Sequence, residues 1–198
     1  EEFRRFIDSV MNKRLSYMAF MTLYWTGMRL GELLALNPKD ADLEKRTIAI
    51  TKSYQRLGKK DVITPSKTSK SKRVITIPEF LAADIKDYMD SLYDLQEDDR
   101  LFPITKYYLE HEMQRGIKER GVKKIKDCLG ITVADTEIQI LLNSHASMLI
   151  ELGFSPLEIA NRLGHEKVET TLNTYSHLYP NKRTKLAERL DREYKGDL

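Results

Sequence analysis

Two hydrophobic periodicities share this chain, and the places where one gives way to the other limit the folds open to it. From Glu2 to Trp25 apolar residues recur at helical spacing (Phe3, Phe6, Ile7 and Val10, then Tyr17, Phe20, Met21 and Tyr24), with a break near Asn12. Thr26-Gly27 punctuates that run, and a short helix from Met28 to Leu36 stops at Asn37-Pro38. Thr47-Ile48-Ala49-Ile50-Thr51 then alternates with a period of two, Leu57-Gly58-Lys59-Lys60 forms a turn, and strand-like pieces follow at 61–64 and 73–77. After Pro78 the helical spacing returns, predicting helices near 79–95, 105–120, 136–152, 156–163, 168–176 and 182–194. The pattern predicts an α+β fold, mainly α-helical, with a small three-stranded antiparallel sheet inserted.

A chain of 198 residues can bury a substantial core within one domain. It contains no apolar run of the roughly eighteen residues needed to span a membrane and shows no basic-apolar-cleavage pattern at its start, so neither a membrane span nor a signal peptide is expected. Its one cysteine, Cys128, excludes an internal disulfide, so a reducing, cytoplasmic location is expected. Four histidines without ligand spacing call for no metal, and no glycine-rich phosphate loop calls for a nucleotide cofactor. Net charge is only +3, so the distribution of charge says more than its sum. Residues 52–73 carry Lys52, Arg56, Lys59, Lys60, Lys67, Lys70, Lys72 and Arg73 against the single acid Asp61, and a second basic stretch runs from Lys118 to Lys126. Such runs suit a solvated surface or the phosphates of double-stranded DNA.

Four side chains could carry chemistry. Tyr175 lies ten residues after His165 in LGHEKVETTLNTYSHL, residues 163–178. A tyrosine at such a position ordinarily packs in a core, but a phenol can attack a phosphodiester where cations stabilise the developing charge. His165 follows a glycine of the kind that ends helices; it reads as a dipole-favoured neighbour of that end, or as a hydrogen-bond donor to a non-bridging phosphate oxygen. Arg29, in TGMRLGELLAL (26–36), shares a helix face with Glu32, which makes a surface ion pair or a two-pronged guanidinium clamp steadied by a carboxylate. Lys67 stands at a hairpin tip, fit for a phosphate contact or for protonating a departing 5′ oxygen, with Lys70, Lys72 and Arg73 close enough to compete for that role. His145 and His177 read as structural or solvent-facing.

These segments resemble the catalytic domain of the tyrosine recombinases, or phage integrases, including those of conjugative transposons. TGMRLGELLAL is similar to the family's first box, SKTSKSKRVITIP to its lysine hairpin, and SHASMLIELGFSPLEIANRLGHEKVETTLNTYSHL to its last box. The resemblance implies site-specific recombination or integration of DNA through a covalent 3′-phosphotyrosine, with Arg29, Lys67, His165 and Tyr175 as catalytic residues and no cofactor. It further implies a catalytic domain over 1–179, a C-terminal helical tail over 180–198 that docks on a neighbour, and an N-terminal core-binding domain lying outside this chain. The expected partner is double-stranded DNA, bound as a homotetramer on paired sites, with a monomer in isolation. SPLEIANRLGHEKVETTLNTYSHL also imitates a helix-turn-helix, so the alternative is a non-enzymatic DNA-binding module.

One box departs from the family. Where relatives carry His-x-x-Arg ahead of SHASML, this chain has Gln139 and Leu142, within an altered segment, 127–143, that follows the family-like GVKKIK (121–126). Leucine offers no charge and glutamine is no proton shuttle. Losing one charge-stabilising donor costs on the order of 10²–10³ in rate, so a catalytically impaired chain that keeps its fold is expected. An arginine arriving from elsewhere in the chain, such as Arg115 or Arg120, would restore the missing fork.

Overall fold

The computed structural model describes residues 2–58, 60–66, 71–119, 138–179 and 194. Helix α1, Glu2–Val10, turns Phe6 and Val10 fully inward. Its partner α2, Arg14–Thr26, is apolar nearly all round and is buried accordingly, with Met18, Ala19, Phe20 and Leu23 shielded by their neighbours. Phe6 meets Phe20 edge to face at a centroid distance of 4.9 Å. Helix α2 ends at Gly27, whose φ of +65° lets its N–H reach the Leu23 carbonyl. A Cβ there would lie 2.4 Å from Cδ2 of His145, so the glycine also permits the close approach of the later helices. The short α3, Leu30–Leu34, begins at Arg29, and the Glu32 carboxylate reaches back to accept the Arg29 N–H at 2.8 Å.

The strand region is larger than the alternation alone suggests. Strands β1 (Ala41–Asp42), β2 (Thr47–Ile50) and β5 (Arg73–Thr76) form an antiparallel sheet in the order β1-β2-β5, with Ile48 opposite Ile75. Strands β3 (Lys52–Leu57) and β4 (Lys60–Pro65) pair only with each other, as a separate hairpin with Tyr54 opposite Ile63. The three-stranded antiparallel sheet is therefore present, but the 61–64 strand is not its middle member. β2 and β5 bury Ile48, Ile50 and Ile75 in the core, whereas β3 and β4 bury little beyond Tyr54. A hairpin that buries almost nothing leaves a faint hydrophobic signature.

Helices α4 (Glu79–Asp90) and α5 (Lys106–Glu119) follow, then α6 (Gln139–Glu151), α7 (Pro156–Leu163) and α8 (Val168–Tyr175), with a 3₁₀ turn over Ser176–Leu178. The start of α7 is written in its sequence: Ser155 Oγ accepts the Glu158 N–H, Glu158 returns to the Ser155 N–H, and Pro156 takes the first helical position. Its end is equally local, with Gly164 at φ +69° and the His165 N–H bonded to the Ala160 carbonyl at 2.9 Å. One large core joins α1 to α5, the sheet and the first turn of α6. A second, smaller cluster of Leu142, Ala146, Leu149, Ile150, Ile159, Leu163 and Tyr175 joins α6 to α8. Among the described residues no helix is long and apolar enough to cross a membrane.

Candidate active site

The site is organised by one buried carboxylate. Glu32, 5% exposed at its side chain, faces two guanidinium groups. Arg73, from β5, grips it with both prongs, Nη1 to Oε1 at 3.0 Å and Nη2 to Oε2 at 2.8 Å, and is itself nearly buried. Arg29 donates Nη1 to the same Oε1 at 3.0 Å and Nη2 to the Gly164 carbonyl at 3.2 Å, yet remains 42% exposed. Burial alone would push the Glu32 carboxyl upward. The hydrogen bonds and charge of Arg73, with the backbone and charge of Arg29, outweigh it and hold the group below the ordinary carboxylate range. Of the two cations, Arg73 is committed to structure and Arg29 presents the open face.

Arginine 73 extends the same frame to α7. Its Nε donates to the Arg162 carbonyl at 2.8 Å, and a Cβ on Gly164 would sit 2.8 Å from its Nη1. Arg162 in turn donates Nε to His145 Nε2 at 2.9 Å, Nη1 to the Thr76 carbonyl at 3.1 Å and Nη2 to the Trp25 carbonyl at 3.0 Å. The C-terminal end of α7 is thereby tied to α2, β5 and α6 at once. His145 is buried, and its imidazole is pushed down to about 3 by burial first and by the Arg162 charge second. It is a neutral structural histidine, while His177 lies exposed.

This frame places His165, half-buried, directly after the carbonyl that Arg29 holds. Burial and then the charges of Arg29 and Arg73 lower its basicity below the ordinary imidazole range. Its Nδ1 lies 2.8 Å from Oγ1 of Thr171, a fully buried residue on α8. Tyr175 follows one helical turn later on the same face of α8, and its hydroxyl donates to Oδ1 of Asn143 on α6 at 2.7 Å. The Tyr175 side chain is buried in the small α6–α8 cluster. The arrangement offers an exposed guanidinium fork beside a neutral imidazole, with a buried phenol one helical turn from the threonine that meets that imidazole. Among the described residues, no group of three or more His, Cys, Asp or Glu is disposed to hold a metal ion.

The match to the model of the phage integrase family runs over residues 1–182. This chain belongs to the phage integrase family. It is 31% identical to the ICEBs1 integrase of Bacillus subtilis (strain 168), over 96% of this chain and 53% of that protein. It is 33% identical to the integrase of Staphylococcus phage L54a, over 87% of this chain and 48% of that protein. The chain thus spans about half the length of the curated relatives it matches. In fold it is similar to the integrase of transposon Tn1549 solved in complex with circular intermediate DNA, with a TM-score of 0.75 at 22% identity, covering 93% of this chain and 64% of that one. The catalytic domain of bacteriophage HP1 integrase aligns with a TM-score of 0.62 at 18% identity, over 96% of this chain and 92% of that one.

In this member of the phage integrase family the structure brings Arg29 against Gly164, next to His165, and Tyr175 lies on α8, the helix that follows. Lys67 lies outside the described residues, as do Arg120, the stretch 120–137 and all of the tail but Tyr194. At the positions where a His-x-x-Arg box would fall, Gln139 opens α6 and Leu142 is buried in the small cluster beside Tyr175. Arg115 does not reach the site: it bonds to Glu112, Glu119 and the Ser9 carbonyl, where α5 meets α1. Sequence reasoning missed Thr171 and Asn143 as partners of the candidate residues and named Arg73 only as a rival to Lys67. Thr171 had a readable signal, because it stands four residues before Tyr175 and so shares its helix face. Asn143 had none; its pairing spans 32 residues.

Proposed function

We propose that this chain is the catalytic domain of a site-specific DNA recombinase that cuts and rejoins duplex DNA through a 3′-phosphotyrosine. The observation carrying the proposal is the Arg29 fork, oriented by Glu32 and by the Gly164 carbonyl with His165 next in the chain. A planar donor pair fixed by a buried carboxylate and left partly open suits the two non-bridging oxygens of a phosphodiester. In this reading Tyr175 releases its phenolic proton to solvent as its oxygen attacks phosphorus, the bond from phosphorus to the 5′ oxygen breaks, and Lys67 gives that oxygen its proton. Arg29 and His165 stabilise the negative charge that gathers on the five-coordinate phosphorus. Reversal by another strand's 5′ hydroxyl reseals the backbone without ATP, because the phosphotyrosine conserves the bond energy.

Leu142 and Gln139 supply no second guanidinium, so slow cleavage with well-retained DNA affinity is part of the proposal. Its remaining parts are a homotetramer on paired duplex sites, a monomer without DNA, the segment 180–198 docking on a neighbour, and a cytoplasmic location. The exposed basic residues of β3 and β4, Arg56 and Lys60, suit the DNA backbone.

The experiment is a nicked suicide duplex that traps covalent protein–DNA adduct on a denaturing gel. The expected result is slow adduct formation that Tyr175→Phe abolishes while duplex affinity is retained. Salt-sensitive duplex binding with no adduct, even after long incubation, would instead identify a helix-turn-helix-like binding module built on α7 and α8. Adduct forming at the rate of an integrase with an intact His-x-x-Arg box would overturn the predicted impairment.

A further inference from the structure

Resting on the proposed role of His165 as a donor to the phosphate, we infer that Thr171 is a positioning residue: its buried hydroxyl donates to Nδ1 of His165 and thereby leaves the ring proton on Nε2, facing the anion. A neutral imidazole carries one proton on one of two nitrogens, and the partner of one nitrogen decides the chemistry of the other. Burial beside Arg29 and Arg73 keeps the His165 ring neutral near pH 7, so the choice of tautomer matters.

The direction of the bond follows from what each hydroxyl in this fold can reach. Thr26 and Thr174 donate to carbonyls one turn back in their helices, Thr22 and Thr170, at 2.6 and 2.8 Å. Among the described residues the Thr171 hydroxyl bonds to Nδ1 of His165, and Thr171 is 0% exposed, so bulk solvent does not reach that hydroxyl. Were Nδ1 to carry the proton, the hydroxyl would accept it and bury its own hydrogen without an acceptor, at a cost of about 1–3 kcal/mol. Donation from Thr171 avoids that cost. Nε2, on the far side of the ring, then holds the proton as a ready donor, so no tautomer exchange is needed when a phosphate oxygen arrives.

His145 provides an internal reference of opposite sense. Arg162 Nε donates to its Nε2, so that neutral ring keeps its proton on Nδ1, where the backbone of Tyr24 is the group that interacts with it. The two buried-side histidines should therefore show reversed nitrogen signatures in one spectrum.

The test is long-range proton–nitrogen NMR of the ¹⁵N-histidine-labelled protein at pH 7, with His165 assigned by His165→Asn. The expected spectrum gives His165 an unprotonated Nδ1 and a protonated Nε2, with His145 the reverse. Thr171→Ser should keep this pattern, and Thr171→Val should shift His165 toward the Nδ1-protonated form. On the suicide duplex, Thr171→Val should slow adduct formation about tenfold with unchanged duplex affinity, and Thr171→Ser should restore the rate. A wild-type His165 protonated on Nδ1, or a tautomer identical in wild type and a folded Thr171→Val, overturns the inference. The predicted tautomers without any covalent adduct would leave the inference standing and sink the recombinase reading instead.

Discussion

The Tyr175 hydroxyl donates to the side-chain oxygen of Asn143 across 2.7 Å of buried space, joining α8 to α6 inside the small second core. In the proposed reaction this bond has to break before the oxygen can attack. The energetic content of the bond is measurable without DNA. Tyr175→Phe and Asn143→Ala should each lower stability by about 1–2 kcal/mol, and the double variant should fall short of the sum by about 1 kcal/mol. Denaturant titrations of the four proteins check this; strict additivity would mean that the bond contributes nothing.

Glu32→Gln should be the most disruptive conservative change at the site. It removes the one negative charge that faces Arg73 among the described residues while leaving a nearly buried guanidinium behind, a loss of about 3–5 kcal/mol at pH 7. The dependence on pH has a definite sign. Because the folded carboxyl lies below its ordinary value of 4.5, its contribution is fully present above about pH 4.5 and is lost as pH falls through the lowered folded value. The stability gap between wild type and Glu32→Gln should therefore narrow steadily from pH 5 to pH 3.

His145 should make the wild-type protein sensitive to mild acid. Its imidazole is lowered from 6.5 to about 3, so above pH 6.5 the ring is neutral folded or unfolded, and below it the unfolded chain takes up a proton that the fold excludes, which costs stability until pH nears 3. Between pH 7 and pH 5 the loss is about 2 kcal/mol, at roughly 1.4 kcal/mol per pH unit once below 6.5. His145→Gln, which keeps an acceptor for Arg162, should flatten the profile in that window. A wild-type protein equally stable at pH 7 and pH 5 would contradict the assignment.

Gly164 can be separated from an ordinary left-handed glycine by comparison with Gly153. Both have positive φ, +69° and +88°, but a Cβ on Gly153 meets nothing within 4 Å, whereas one on Gly164 meets Arg73 Nη1 at 2.8 Å. Gly153→Ala should cost only the backbone strain, about 1–2 kcal/mol. Gly164→Ala should exceed it by about 1 kcal/mol or more, because the Arg73 fork on Glu32 must shift. Equal losses in thermal melts would show that the guanidinium yields freely.

What the sequence determined alone is what short stretches can encode. Apolar spacing marked α1, α2 and α4 to α8 as helices, Ser155-Pro156 with Glu158 and Gly164 set both ends of α7, and two boxes singled out Arg29, His165 and Tyr175. The hairpin was legible only in part, because β3 and β4 bury too little to print a hydrophobic alternation, and so the split into two sheets escaped notice. Tertiary structure decided the rest: that Glu32 is shared with an arginine 41 residues away, that Arg29 reaches a carbonyl 135 residues away, and that Tyr175 points at Asn143. Such pairings depend on helices stacking at particular angles and depths. A periodic pattern states which face of a helix turns inward; only packing fixes which polar group waits there.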